Sequence, residues 1–379
     1  MVFGAIGAAK TDCVEDVPNG TTINSLTILP TYTPHTLTIN TPLTTSGMTI
    51  NGGNIAQPNG TTSSITCYGP LSWTSGTIGS QNNGASTLSV SNELSEIEGN
   101  GTKTLGDNFT LLGMLYLTGD GGNTLTLTNN ATITNYGTIA LFSGAYGISN
   151  ATGSNGGITN YGTLETAGGA GTLESVPIVN DVGGAVNIGD SSGTAAKLEI
   201  LYANPQNTVS FLNGGGTVTL YAGATLAPKA GYTQASGTFT VGGTSGTAQV
   251  TGLQNTSQML INGGYVTFAT AQDNLDSEWN FTMTGGKITL TVDATAGKNN
   301  FVQSDNGSIS INNGSNMEVD TINIPKTGMP KQLWAIFIAS NNLHGIASVG
   351  VKVVGAINYV GYNYGDPVGN NTQKVSLQS

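Results

Sequence analysis

Ile133-Thr-Asn135-Tyr-Gly137-Thr-Ile139 is followed by Ile158-Thr-Asn160-Tyr-Gly162-Thr-Leu164, and then by a decayed copy, Ile178-Val-Asn180-Asp-Val-Gly183-Gly-Ala-Val186. The asparagines of successive copies stand 25 and 20 residues apart. A unit of that length, made of a short strand, an Asn and Gly corner and another short strand, cannot bury its own apolar face. Copies must therefore stack on one another, which is the signature of a solenoid.

Working outward, Phe211-Leu-Asn213-Gly-Gly-Gly-Thr-Val218, Leu260-Ile-Asn262-Gly-Gly-Tyr-Val266 and Phe281-Thr-Met283-Thr-Gly285-Gly-Lys-Ile288 share one template. Met48-Thr-Ile50-Asn51-Gly-Gly-Asn-Ile55 anticipates it. A single Asn-Gly pair fits a hairpin as well as a solenoid corner, because both need a sharp turn with positive φ. A corner that recurs is what a β-helix needs, since equivalent positions of successive coils stack about 4.8 Å apart and asparagines there can form hydrogen-bonded ladders. Between corners, runs such as Leu26-Thr-Ile28 and Leu37-Thr-Ile39 alternate apolar and hydroxyl residues, the period of a half-buried strand.

These patterns predict an all-β chain built as a right-handed parallel β-helix. Residues 1–35 form an irregular N-terminal cap region. Residues 36–324 form on the order of a dozen coils, and residues 325–379 a C-terminal β cap or assembly module. The alternative is a tandem set of β-sandwich or jelly-roll domains, which also combine many short strands with Gly-rich turns. The expected corner residues are Asn135, Gly137, Asn160, Gly162, Asn180, Asn213 and Asn262.

Composition fits a repeat array and narrows its chemistry. Of 379 residues 56 are glycine, and only 8% are charged, against roughly a quarter in an average protein. The surface must be solvated by hydroxyls and amides more than by ions. All ten basic residues are lysines and the net charge is −11. Nucleic acid is a poor partner for such a chain, because phosphate tracking needs a basic face and base reading leans on arginine. The longest strongly apolar run, Leu333 to Ala339, is far too short to span a bilayer, so no membrane insertion is expected. The stretch Met1 to Lys10 lacks the basic leader and the length of a secretory signal.

The corner-and-strand phrases, with Leu-Ile-Asn-Gly-Gly-Tyr-Val-Thr-Phe at 260–268, resemble those of secreted bacterial β-helix proteins, the autotransporter passenger domains and haemagglutinin-type adhesins. The resemblance covers about residues 100 to 325. It implies a right-handed β-helix on a cell surface, used for adhesion or self-association. Within these residues no stretch reads as a translocator barrel or secretion domain.

Candidate sites are few. Cys13 and Cys67 are the only cysteines and are candidates for one disulfide in an oxidising compartment. Eleven Asn-x-Ser/Thr sequons, among them Asn108, Asn130, Asn150 and Asn280, are candidate glycosylation sites. Trp334, Tyr359, Tyr362 and Tyr364 are candidate contact aromatics for a sugar or a neighbouring subunit, or the filling of a terminal core. His35 and His344 lie at opposite ends of the chain and support neither a triad nor a metal cluster.

Gly189-Asp-Ser191-Ser-Gly193 has the spacing of a nucleophile elbow but not its strand-to-helix context. The acidic groups Glu93-Glu96-Glu98 and Asp273-Asp276-Glu278 read as solvated loops. Gly119 to Leu125 resembles a single calcium-binding turn, so calcium is the one cofactor with any support. No catalytic, cofactor or metal residues are assigned. The expected function is that of a non-enzymatic, extracellular structural or adhesive surface protein that self-associates, with cell-surface glycans as a further candidate partner. A virion spike or tail fibre for host attachment is the first alternative, and a polysaccharide-degrading enzyme on a β-helix the second.

Overall fold

The structure, a computed structural model, describes residues 20–323 except 58–62, 80–86, 92–93, 119–123, 143–146, 168–171, 193–195, 203, 205–208, 243–245, 252–257 and 313. It also describes residues 2–3, 12–15 and 18 and the strands at 333–339, 343–344, 351–354, 362–364 and 373–378. The described chain is almost wholly β and is built as a solenoid of stacked parallel strands. The parallel register excludes tandem sandwiches or jelly rolls, whose strands pair antiparallel. Among the described residues no helix is long and apolar enough to cross a membrane.

The fold comprises two compact units, Met1–Val179 with Asn204–Gln206, and Asn180–Ala203 with Asn207–Ser379. In the first unit the coils from Thr87 to Ser175 have three strands each, while in the two coils before them the second and third strands run together as Met48–Ala56 and Leu71–Ile78. One coil is Thr132–Asn135, Thr138–Phe142 and Gly147–Asn150, and the next is Gly157–Asn160, Thr163–Ala167 and Thr172–Ser175. Ile133 lies beside Ile158, Asn135 beside Asn160 and Ile139 beside Leu164, so the spacing of 25 residues is one full coil.

Alternation places Ile133, Ile139, Ile148 and Ile158 inside, each at most 1% exposed, and threonines outside. Each such side chain contributes roughly 2 kcal/mol of burial. Because neighbouring coils repeat the pattern, the core is a column of Leu, Ile and Val with no centre.

The second unit stacks in the same manner. Phe211–Asn213 pairs with Tyr232–Gln234, and Thr217–Leu220 with Thr238–Val241. Its core is more aromatic: Tyr232 sits edge-on between Phe211 and Phe239, with ring centres 5.2 Å apart on both sides. Val351–Val354 still stacks parallel on the strand Asn316–Ile322. Gln373–Gln378 then runs antiparallel to both Leu333–Ala339 and Tyr362–Tyr364. That reversal gives the outer backbone groups of Leu333–Ala339 a partner that the parallel stack does not supply.

Candidate functional site

The corner that follows the first strand of each coil carries the most regular chemistry of the molecule. In the first unit its inward position is occupied in successive coils by Thr45, Cys67, Val90, Leu111, Asn135 and Asn160, aligned by strand register. All six are buried. Where the residue is polar, it turns back onto its own corner. Thr45 Oγ1 donates to the Gly47 carbonyl at 2.7 Å, Cys67 Sγ to the Gly69 carbonyl at 3.2 Å, and Asn160 Nδ2 to the Gly162 carbonyl at 3.1 Å.

Asn135 does more. Its Oδ1 accepts the Gly137 N–H at 3.1 Å, while its Nδ2 donates to Asn160 Oδ1 at 2.7 Å and to the Thr163 carbonyl at 2.8 Å. These bonds satisfy buried donors and acceptors that a turning backbone would leave open. The expected asparagine ladder is present here.

Cys67 belongs to this column, and that corrects the disulfide expectation. No bond joins it to Cys13. Cys13 lies on the strand Cys13–Glu15 beside Leu37, in a different file of strands. Burial pushes the Cys67 thiol above its ordinary pKa, which keeps it a neutral donor to Gly69.

The second unit has its own ladder. Asn180 Nδ2 donates to Asn213 Oδ1 and to the Thr217 carbonyl, both at 3.0 Å; Asn213 Nδ2 donates to the Gly216 carbonyl at 3.2 Å and to Gln234 Oε1 at 3.1 Å. Gln234 also accepts the Tyr232 hydroxyl. Sequence reasoning missed Gln234, although Tyr232-Thr-Gln234 aligns with Phe211-Leu-Asn213.

Asn262 stands at its corner but outside the column. Gln234 is followed in the column by Ile261, and Asn262 is the exposed residue after it, its Oδ1 accepting the Thr284 hydroxyl at 2.6 Å. The ladder therefore ends at Gln234, and Ile261, Met283 and Ile311 continue the column as apolar residues.

One residue beyond the column the chain faces solvent. In the first unit this outer position holds Ser46, Tyr68, Ser91, Leu112, Tyr136 and Tyr161, and the N–H of each bonds to the residue at the column position of the coil before. Tyr68, Leu112, Tyr136 and Tyr161 are 58%, 51%, 53% and 36% exposed. The rings of Tyr136 and Tyr161 are parallel within 10°, their centres 5.0 Å apart. Leu94 and Met114, also exposed, stand side by side at the start of the next strands.

The first strands leading into this corner present a file of hydroxyls, Thr44, Thr66, Ser89, Thr110, Thr134 and Thr159, one per coil in register. No ionisable side chain stands at an outward position of those strands from Leu43–Thr45 to Gly157–Asn160. In the second unit the outer corner positions among the described residues include Gly214, Ala235, Asn262, Thr284 and Asn312, none of them aromatic.

The remaining candidates are dispersed. Of the sequons, Asn130 and Asn280 are exposed and Asn108 is half-buried. Asn150 is buried, and its Nδ2, the atom a glycan would occupy, donates to the Gly156 carbonyl at 3.0 Å, so the folded chain does not present it. Tyr359 lies outside the described residues, as do the side chains of Trp334, Tyr362 and Tyr364. Gly193 is outside them too; Gly189 to Ser192 form a turn after the strand Ala185–Ile188 in which Asp190 Oδ1 accepts the Ser192 N–H at 2.8 Å.

His35 Nδ1 lies 3.6 Å from Asp12 Oδ1. Asp276 stands between Gln249 and Gln303 in register, and burial, with Asp305 and Glu278 nearby, pushes its carboxyl up to about 6. Asp273 is buried and accepts the Thr270 N–H at 2.6 Å, apart from that row. Glu93 and residues 119–123 of the calcium-like turn fall outside the described residues. Among the described residues no three His, Cys, Asp or Glu side chains stand together as a metal site would need.

No family model matches the chain, and no curated protein is detectably similar to it in sequence.

Proposed function

We propose that the chain is a non-enzymatic scaffold of an exterior surface, on a cell or a particle, that adheres and self-associates through repeated uncharged contacts. The observation that carries this reading is the face of the first unit where a file of hydroxyls borders exposed tyrosines. Catalysis requires unlike groups converging on one point with tuned protonation. A file does the reverse, offering the same weak contact once per coil, so that attachment gains strength by number. The outward positions of the first strands on this face carry no ionisable side chain, so the contact itself would use no ion pair for salt to screen, while salt would lessen the repulsion between chains of net charge −11.

Adhesion of beads coated with the full chain tests this proposal. The expected result is that coated beads cluster with one another or hold to cells under flow, and that high salt does not release them. Beads carrying the folded chain that do neither would contradict the adhesive reading. Release of soluble sugars from the surface would contradict the non-enzymatic part.

A further inference from the structure

We infer that the outer corner of the first unit is a binding site for an extended, uncharged polysaccharide. This rests on the adhesive reading above and names its ligand class and its contacts. Tyr136 and Tyr161 have parallel rings with centres 5.0 Å apart, whereas ring faces touch at about 3.5 to 4 Å. Parallel rings in face contact at that centre distance are offset like shingles, each ring plane about 50° from the line of centres. Shingled rings show part of each face outward, and the exposures of these two tyrosines agree with that.

Sugar rings carry C–H groups on their flat faces and hydroxyls around their edges. An aromatic face takes the first and a row of hydroxyls takes the second. The corner supplies both at once. Two residues before Tyr136 and Tyr161 stand Thr134 and Thr159, outward on the same strands and in register with each other. Toward the earlier coils the same pairing recurs with Thr110 before Leu112 and with Thr66 before Tyr68.

The repeat of about 4.8 Å from coil to coil is close to the length of one sugar unit in an extended β-linked chain. A polymer lying along the stack would meet an equivalent contact at each step. Its lack of charge follows from the face itself: no lysine stands there to hold a uronate or a sulfate, and a net charge of −11 repels a polyanion.

Electrophoresis in native gels containing hydroxyethylcellulose, glucomannan or xylan tests the inference, with polygalacturonate as the charged control. The acidic chain migrates freely in such gels, so retardation reads binding. The expected result is retardation by at least one neutral polymer and none by polygalacturonate. Tyr136→Ala with Tyr161→Ala should weaken binding by about tenfold or more, while Tyr136→Phe with Tyr161→Phe should keep most of it.

Both side chains are exposed, so an unchanged melting curve will show that the alanine variant is folded. No retardation by any of the three neutral polymers overturns the inference, and so does equal retardation by polygalacturonate or undiminished binding by the alanine variant. If instead the chain's mass in sedimentation rises with concentration and the alanine variant abolishes that rise, the stripe is covered by a second copy and the inference fails. Coated beads that adhere while no neutral polymer is bound would remove the polysaccharide and leave the adhesive reading standing.

Discussion

Replacing Gly137 with alanine is expected to unfold the first unit or to destabilise it by about 4 kcal/mol. A Cβ at this position would lie 1.8 Å from the Gly113 carbonyl oxygen and 2.8 Å from its carbon, both backbone atoms of the preceding coil. Those atoms cannot yield, because the Thr138 N–H holds the same Gly113 carbonyl at 2.9 Å and the Tyr136 N–H holds the Leu111 carbonyl at 2.8 Å. A methyl group would have to wedge two coils apart.

The requirement recurs along the corner: a Cβ on Gly162 would meet the Gly137 carbonyl oxygen at 2.1 Å, and one on Gly69 the Ser46 carbonyl oxygen at 1.8 Å. This is why the chain carries so much glycine at its corners, where coils approach most closely. Gly153 is the control. It has φ of +80° and nothing within 4 Å of an added Cβ, so Gly153→Ala should cost only the left-handed backbone, about 1 kcal/mol. Urea midpoints of the two variants decide the matter, and equal midpoints would show that close packing at the corner has been misread.

Asn213→Ala should destabilise the second unit by about 3 kcal/mol. The truncation removes bonds to the Gly216 carbonyl and to Gln234 Oε1 and takes away one of the two acceptors of Asn180 Nδ2, all of them buried. A buried polar atom left without a partner loses its full solvation, which exceeds the modest net value of an ordinary hydrogen bond. Asn262→Ala, made in a phrase of nearly identical text, should cost less than about 1 kcal/mol. There the lost bond is an exposed one to Thr284, and water replaces it. Melting temperatures of the two variants should therefore separate by several degrees in that order, and the reverse order would contradict the assignment of the column.

The contrast between Asn213 and Asn262 also marks what the sequence makes legible. The period of 25 residues, the alternation of apolar and hydroxyl residues and the Asn-Gly corners are local patterns, and each survives in the structure. Which asparagine points inward is set by alternation along its own strand. Phe211 and Asn213 share a face, whereas Met259 shares one with Ile261 and leaves Asn262 outside.

Cys67 illustrates the complementary difficulty. Nothing in its own neighbourhood relates it to Asn135, and only register through Val90 and Leu111 puts the two in one column. The tyrosine stripe was half visible, since Tyr136 and Tyr161 follow inward asparagines and must point out. Tyr68 and Leu112 join it only once coils of unequal length are aligned. The aromatic side chains singled out near the C-terminus drew attention by their density alone, which says nothing of exposure.

Attachment through the corner of the first unit would cover the residues exposed there. Hydroxyl-radical footprinting of the chain, free and while holding coated beads to a surface, tests it most directly. Oxidation of Tyr68, Leu112, Tyr136 and Tyr161 should fall on attachment, while Tyr265, 56% exposed in the second unit, should react as before. Protection confined to other residues, with these four as reactive as in the free chain, would contradict the account.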